Sequence, residues 1–185
     1  MFREILKKLS LQLNKNDIPY VVIGGQAVLL YGEPRQTKDI DITLGLDVDQ
    51  SAYVLEVVKS LELDVLVEEP IDFVQRTRVL PLIEPNSGIR IDFIFSFSPF
   101  ERESIEQSNK KILDGIEVNF ASKENLIVHK IVADRPRDRE DVRSILIRNP
   151  DTDNEHIIHW LSLFDKSIDT NYVQKYKKLV DNLNL

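Results

Sequence analysis

The sequence predicts an α+β protein, with an α/β core to about residue 121 followed by a helical C-terminal part. Three observations carry this reading. The chain opens with helix-spaced apolar residues, a short β-branched run, and a Gly-Gly pair leading into a second helix. Residues 39–44 and 89–95 have the pattern of strands. From Ser122 onward the pattern is wholly helical. The expected division is therefore 1–121 and 122–185, the two parts being free to pack as one domain.

In residues 2–16, Phe2, Ile5, Leu6, Leu9 and Leu13 recur at spacings of three and four, one face of an amphipathic helix. Asp17-Ile18-Pro19 ends it, because proline cannot continue a helix. Tyr20-Val21-Val22-Ile23 reads as a buried strand, Gly24-Gly25 as a turn, and Gln26 to Tyr31 as a helix. Gly32 to Lys38 is a polar loop containing Pro34 and Arg35, and residues 39–44 alternate as a half-exposed strand. Ala52, Leu55, Val58 and Leu61 mark a helix over 51–61. Residues 63–67 and 78–83 are apolar enough for strands, with an undefined stretch between them. Asp114-Gly115, flanked by apolar runs within 112–120, is a hairpin signal. Ser122 can cap a helix to about Ala133, Arg135-Pro136 breaks it, and helices follow over 139–148, 155–164 and 170–183. The turn-forming run Asn149-Pro150-Asp151-Thr152-Asp153-Asn154 is the expected hinge.

Composition narrows the function. Hydrophobic residues make up 42% and charged residues 30% of the 185, the balance of an ordinary globular protein. No apolar run has the length of a membrane span, and the N-terminus lacks the features of a secretory signal, so a cytoplasmic protein without membrane association is expected. With no cysteine, disulfides, thiolate catalysis and cysteine metal sites are excluded. His129, His156 and His159 are too few and too poorly placed for zinc. The net charge of −7 argues against a surface that attracts long nucleic acid as a whole, though a local basic patch can still bind RNA.

The candidate chemistry begins at Asp39 and Asp41. Two residues apart on a strand, they leave the same face, while Ile40 and Ile42 leave the other. Two adjacent carboxylates repel each other and suit Mg²⁺ or Mn²⁺; alternatively they are a solvated strand face or a charged edge. A Gly pair between strand and helix lets backbone N–H groups approach phosphate, or is a plain tight turn. The loop between the two features carries Arg35 and Thr37, both able to contact phosphate. Asp92, a lone acid in Ile89-Arg90-Ile91-Asp92-Phe93-Ile94-Phe95, is costly unless paired or metal-bound. If its strand neighbours that of Asp39 and Asp41, three carboxylates converge; otherwise Asp92 pairs with Arg90 or Arg78. Arg135, Arg137, Arg139 and Arg143 form a basic rim for substrate, or pair with Asp134, Asp138, Glu140 and Asp141. In the last helix Tyr172, Val173, Tyr176, Leu179, Val180 and Leu183 form an apolar stripe, read as core ahead of interface.

The run from Val21-Val22-Ile23-Gly24-Gly25-Gln26-Ala27 through Arg35-Gln36-Thr37-Lys38-Asp39-Ile40-Asp41 resembles the nucleotidyltransferase superfamily of the DNA polymerase β type. Within it the chain is most similar to small AbiEii-like bacterial and archaeal proteins. Asp92, the block Ser122 to Lys130 and the block Arg137 to Val142 extend the resemblance over about residues 18–148. It implies a nucleotidyltransferase fold, a mixed β-sheet flanked by helices. It also implies Mg²⁺ (or Mn²⁺) on Asp39, Asp41 and Asp92, with Asp92 in addition the proton acceptor. Gly24 and Gly25 would hold the triphosphate, Lys130 would face the phosphates, and Asp138 would match a recurring Asp, with Asp141 as its alternate. Many members have Gly-Ser where this chain has Gly-Gly, which removes one hydroxyl contact. Gly-Gly is common in the AbiEii-like branch.

The implied activity moves a nucleoside monophosphate from a triphosphate to a hydroxyl, releasing pyrophosphate. The implied acceptors are a tRNA end, a protein or a small molecule such as an antibiotic. A toxin-type enzyme with a cognate antitoxin is one form of this. The rival readings are a catalytically weak binding module of a toxin–antitoxin pair and a small-molecule adenylyltransferase.

Overall fold

The computed structural model describes residues 1–183. Two compact units emerge: Met1–Gln26 with Thr37–Ala121, and Ala27–Gln36 with the chain from Ser122 on.

The first unit is built on a mixed seven-stranded sheet of order β3-β4-β5-β2-β1-β7-β6. The strands are β1 (Tyr20–Ile23), β2 (Asp39–Leu44), β3 (Asp64–Val65), β4 (Val79–Glu84), β5 (Ile89–Phe95), β6 (Asn109–Leu113) and β7 (Ile116–Phe120). Helices α1 (Phe2–Lys15), α3 (Ser51–Ser60), α4 (Pro70–Thr77) and α5 (Pro99–Glu106) accompany it, and α2 (Gly24–Tyr31) leads out of it. β2 runs antiparallel to β1 and parallel to β5, which makes the sheet mixed. Alternation along the two central strands explains the core. Ile40, Ile42 and Leu44 of β2 and Ile91, Phe93 and Phe95 of β5 are all fully buried, while Asp39 and Arg90 are exposed. α1 packs against β7 and buries Leu6, Leu9 and Leu13.

This unit differs locally from the sequence expectation at four places. The Gly pair is no separate turn: Gly24, at φ 64°, passes straight from strand to helix as the first residue of α2. The undefined stretch is α4, opened by Pro70 at its first turn and closed by Arg78 in the left-handed region at φ 61°. α5 has no counterpart in the sequence expectation, yet Ser98 and Glu101 form a capping box at its start. Of the strand expected over 63–67, only Asp64–Val65 pairs with β4. The Asp114-Gly115 hairpin forms as expected, both residues at positive φ.

The second unit contains α6 (Lys123–Ala133), α7 (Pro136–Arg148), α8 (Asn154–Ile168) and α9 (Tyr172–Asp181). Ser122 caps α6 by accepting from Asn125 N–H. Arg135-Pro136 does end α6, but proline suits the first turn of a helix, so α7 begins there rather than at Arg139. The run 149–154 joins α7 to α8 inside this unit, and Asn149 Nδ2 donates to Tyr31 O at 2.9 Å and Ile145 O at 2.7 Å. The α9 stripe is core at Tyr176 and Leu179, which are buried, the Tyr176 hydroxyl bonding to Asn154. Among the described residues no helix is long and apolar enough to cross a membrane.

Candidate functional site

Strand register brings the three acids of the first unit together. On the parallel pair β2–β5, Asp41 stands opposite Asp92 and Asp39 opposite Arg90. Neighbouring strands lie about 4.8 Å apart and residues i and i+2 about 6.6 Å apart. Asp39, Asp41 and Asp92 therefore share one sheet face, with Arg90 beside them. Their burial is graded: Asp39 is exposed, Asp41 and Asp92 are intermediate, and Thr43, next along that face of β2, is buried.

β1 brings the glycine turn to the same place. Ile23 pairs with Asp41 across the antiparallel β1–β2 ladder, so Gly24 follows directly beside that carboxylate. A Cβ on Gly24 would lie 1.9 Å from Asp41 Oδ2 and 2.8 Å from its Cγ. Gly25, the second residue of α2, is buried. The first N–H groups of a helix have no partner within it, so this turn presents donors next to acids. Gln26 Nε2 donates to Thr37 Oγ1 at 2.6 Å in a buried contact, fastening the first turn of α2 to the end of the polar loop. Sequence reasoning found Thr37 but missed Gln26, which carries no signal beyond its place after the Gly pair.

The electrostatics agree with this grouping. Burial raises the Asp92 carboxyl above the usual range; Arg90 opposes the rise and the negative charge of Asp39 adds to it. Of the two arginines expected as partners of Asp92, Arg90 is thus its electrostatic neighbour, whereas Arg78 pairs with Asp47 at 3.6 Å and lies over the Phe97 ring. Among the described residues no three His, Asp or Glu side chains are already gathered to hold a metal ion. The three aspartates supply the hard oxygen donors that Mg²⁺ and Mn²⁺ take, on one face and in register.

The remaining candidates form a charge cluster within the second unit. Lys130 Nζ lies 2.6 Å from Asp138 and 2.9 Å from Asp141. Arg35 grips Asp141 with two parallel bonds, Nε to Oδ1 at 2.7 Å and an Nη to Oδ2 at 2.8 Å. Lys130, Asp138 and Asp141 are buried. Burial alone would raise Asp141, but the hydrogen bonds from Arg35 and then Lys130 outweigh it and hold the carboxyl below its usual range. Asp138 and Asp141, three apart on α7, reach the same lysine because such residues share a helix face. Asp141, only an alternate to Asp138 in the sequence reading, is the hub of this cluster. The basic residues around it divide: Arg139 pairs with Asp134 at 2.8 Å and Arg137 donates to Gln36 O at 3.0 Å. His156 bonds Asn125 across α8 and α6 at 2.8 Å.

The model of one protein family, described as nucleotidyl transferase of unknown function (DUF2204), matches residues 2–183. No curated protein matches the chain in sequence. Three of the solved structures that share its fold are as follows. An antigenic nucleotidyltransferase-like protein from Paracoccidioides brasiliensis is 16% identical with a TM-score of 0.59, over 98% of this chain and 91% of that one. ANT(2'')-Ia in complex with adenylyl-2''-tobramycin is 16% identical with a TM-score of 0.59, over 89% and 97%. The lincosamide antibiotic adenylyltransferase LnuA, with lincomycin bound, is 14% identical with a TM-score of 0.50, over 72% and 89%. The mixed sheet with flanking helices is thus the architecture these proteins use.

Proposed function

The chain belongs to this nucleotidyl transferase family, and from that membership we propose a divalent-metal-dependent transfer of a nucleoside monophosphate from a triphosphate to a hydroxyl acceptor. The observation that carries the proposal is the register of Asp41 with Asp92, with Asp39 on the same face and Gly24 against Asp41.

Each residue has a chemical task in this reading. Asp39, Asp41 and Asp92 hold Mg²⁺ or Mn²⁺, which when bound supplies positive charge against the phosphates. The N–H groups at Gly24 and Gly25 contact the triphosphate at the start of α2. Asp92 takes the proton of the acceptor hydroxyl. The acceptor oxygen bonds to the α-phosphorus as the bond to pyrophosphate breaks in line, so one phosphoanhydride is exchanged for one phosphoester. Thr37 positions the loop through Gln26. Lys130, which lies against Asp138 and Asp141, supplies positive charge for the phosphates. Asp138 then acts by orienting Lys130. Arg35 adds charge from the polar loop.

Resemblance to the AbiEii-like group supports a toxin-type enzyme acting on a tRNA end or a protein, with a cognate antitoxin. A second reading, a small-molecule hydroxyl as acceptor, is favoured by the shared fold with ANT(2'')-Ia and LnuA, whose structures hold adenylylated tobramycin and lincomycin. Calorimetry with each nucleoside triphosphate, with and without Mg²⁺, tests the proposal. Metal-dependent binding that is lost in Asp39→Ala and Asp92→Ala is expected. Absence of binding to all four triphosphates, with both variants like the parent, would overturn it.

A further inference from the structure

We infer that the second unit carries a further site, for a nucleoside phosphate, in a cavity formed by the end of α6 with α7 and α9. The cavity has a volume of about 410 Å³ and is lined only by residues of that unit. Small-molecule sites run from roughly 300 to 1,000 Å³, so one nucleotide is a ligand of fitting size.

Its walls are cationic. Arg139 and Arg143, one turn apart on α7, face Lys175 and Lys178, three apart on α9. Against these four cations the cavity has two carboxylates, Asp134 and Glu140. The described lining residues therefore have a surplus of two positive charges in a protein whose net charge is −7. Asp134 is already engaged, accepting from Arg139 at 2.8 Å and from Lys175 at 2.5 Å. Those hydrogen bonds tie α6, α7 and α9 together and hold its carboxyl below the usual range. Neither Arg143 nor Lys178 has a carboxylate in ion-pair range among the described residues. Two cations with no carboxylate partner among the described residues thus border one concavity.

The floor is apolar: Ile131 and Leu179, both buried in the packing of α6 and α9, line it. This pairing of a cationic rim with an apolar base selects the ligand chemistry. A phosphate dianion matches the surplus of two charges, and an arginine fork accepts phosphate oxygens in pairs. A flat base covers the apolar floor. The chemistry is that of a free nucleotide and equally of the nucleotide at an RNA end.

The test uses the full chain in EDTA, so that metal-dependent binding at the aspartates is silent. Inorganic phosphate, AMP and a short RNA oligonucleotide are titrated and followed by calorimetry. Saturable binding of AMP or the oligonucleotide, with competition by phosphate, is expected. The affinity should fall about tenfold or more in Arg143→Glu/Lys178→Glu, since each lost contact is a charge-assisted hydrogen bond. The milder Arg143→Gln/Lys178→Gln pair should keep the parent's thermal unfolding and also lose affinity. Asp41→Ala and Asp92→Ala should bind as the parent does, which separates this site from the aspartate face. AMP saturation identifies a free nucleotide as the source, and binding of the oligonucleotide alone identifies a nucleic-acid end. Failure of all three probes, or equal affinity in the charge-altered variants, overturns the inference.

Discussion

Gly24 and Asp41 leave each other no room: a Cβ on the glycine would stand 1.9 Å from the carboxylate's Oδ2. The contact joins the left-handed residue that opens α2 to the second acid of β2. Gly24→Ala would have to displace Asp41 and hold an alanine at φ 64°. The backbone alone costs about 1–3 kcal/mol. The variant is expected to unfold at lower temperature and, at temperatures where it remains folded, to lose triphosphate binding with Mg²⁺. Thermal melts and calorimetry on the same sample read both effects.

Asp92 is expected to trade stability for activity. Its folded-state pKa is raised, first by burial and further by Asp39. A raised carboxyl contributes stability below its unfolded value, and that contribution is lost as pH rises through the folded value. Asp92→Asn should therefore melt higher than the parent at neutral pH, with the difference closing in acid. Transfer should fall about 10²- to 10⁴-fold, the usual worth of a positioned base. Mg²⁺ should raise the melting temperature of the parent and not that of the variant.

The Lys130 cluster is expected to behave as a buried network. Lys130→Met leaves Asp138 and Asp141 short of a cation in a buried setting. Breaking such a pair costs about 3–5 kcal/mol, which lowers the melting temperature of a chain this size by roughly 10 °C. In Lys130→Met/Asp138→Leu the loss should be smaller than the sum of the two single losses, because neither partner is left alone. A double-mutant cycle by denaturant unfolding measures the difference.

His129 sets an acid limit. Burial, helped by the charge of Lys130, pushes its pKa down to about 4. The unfolded chain takes up a proton near pH 6.5 and the folded chain does not. Stability should fall as pH drops from about 6.5 and level off below about 4. The paired acid Asp141 loses its contribution only at lower pH, since its carboxyl is held below the usual range. His129→Phe should flatten the first of these two phases in urea unfolding followed across pH.

Local order was legible wherever one signal dominated. Ile89–Phe95 reads as a strand because its apolar residues are β-branched or aromatic and it buries every second one. α6 starts where Ser122 caps it. α4 was not legible because it fully buries only Val74, which leaves almost no helical period to detect. α5 does carry a signal in Ser98-Pro99 and Glu101, a capping signature independent of apolar periodicity. The acids of the site could be named from the sequence, but not their grouping. The parallel register of Asp41 with Asp92 depends on strand order, which no local pattern encodes. For the same reason the sequence places Lys130 in a helix but does not show its two carboxylate partners.

The most direct measurement is pyrophosphate release from nucleoside triphosphates labelled at the α-phosphorus, with a mixed cell extract as acceptor. Label transferred with stoichiometric pyrophosphate, dependent on Mg²⁺ or Mn²⁺ and abolished in Asp41→Ala, is the expected result. Label that persists undiminished in Asp41→Ala, or no transfer from any of the four triphosphates, would contradict a catalytic role for the β2–β5 aspartates.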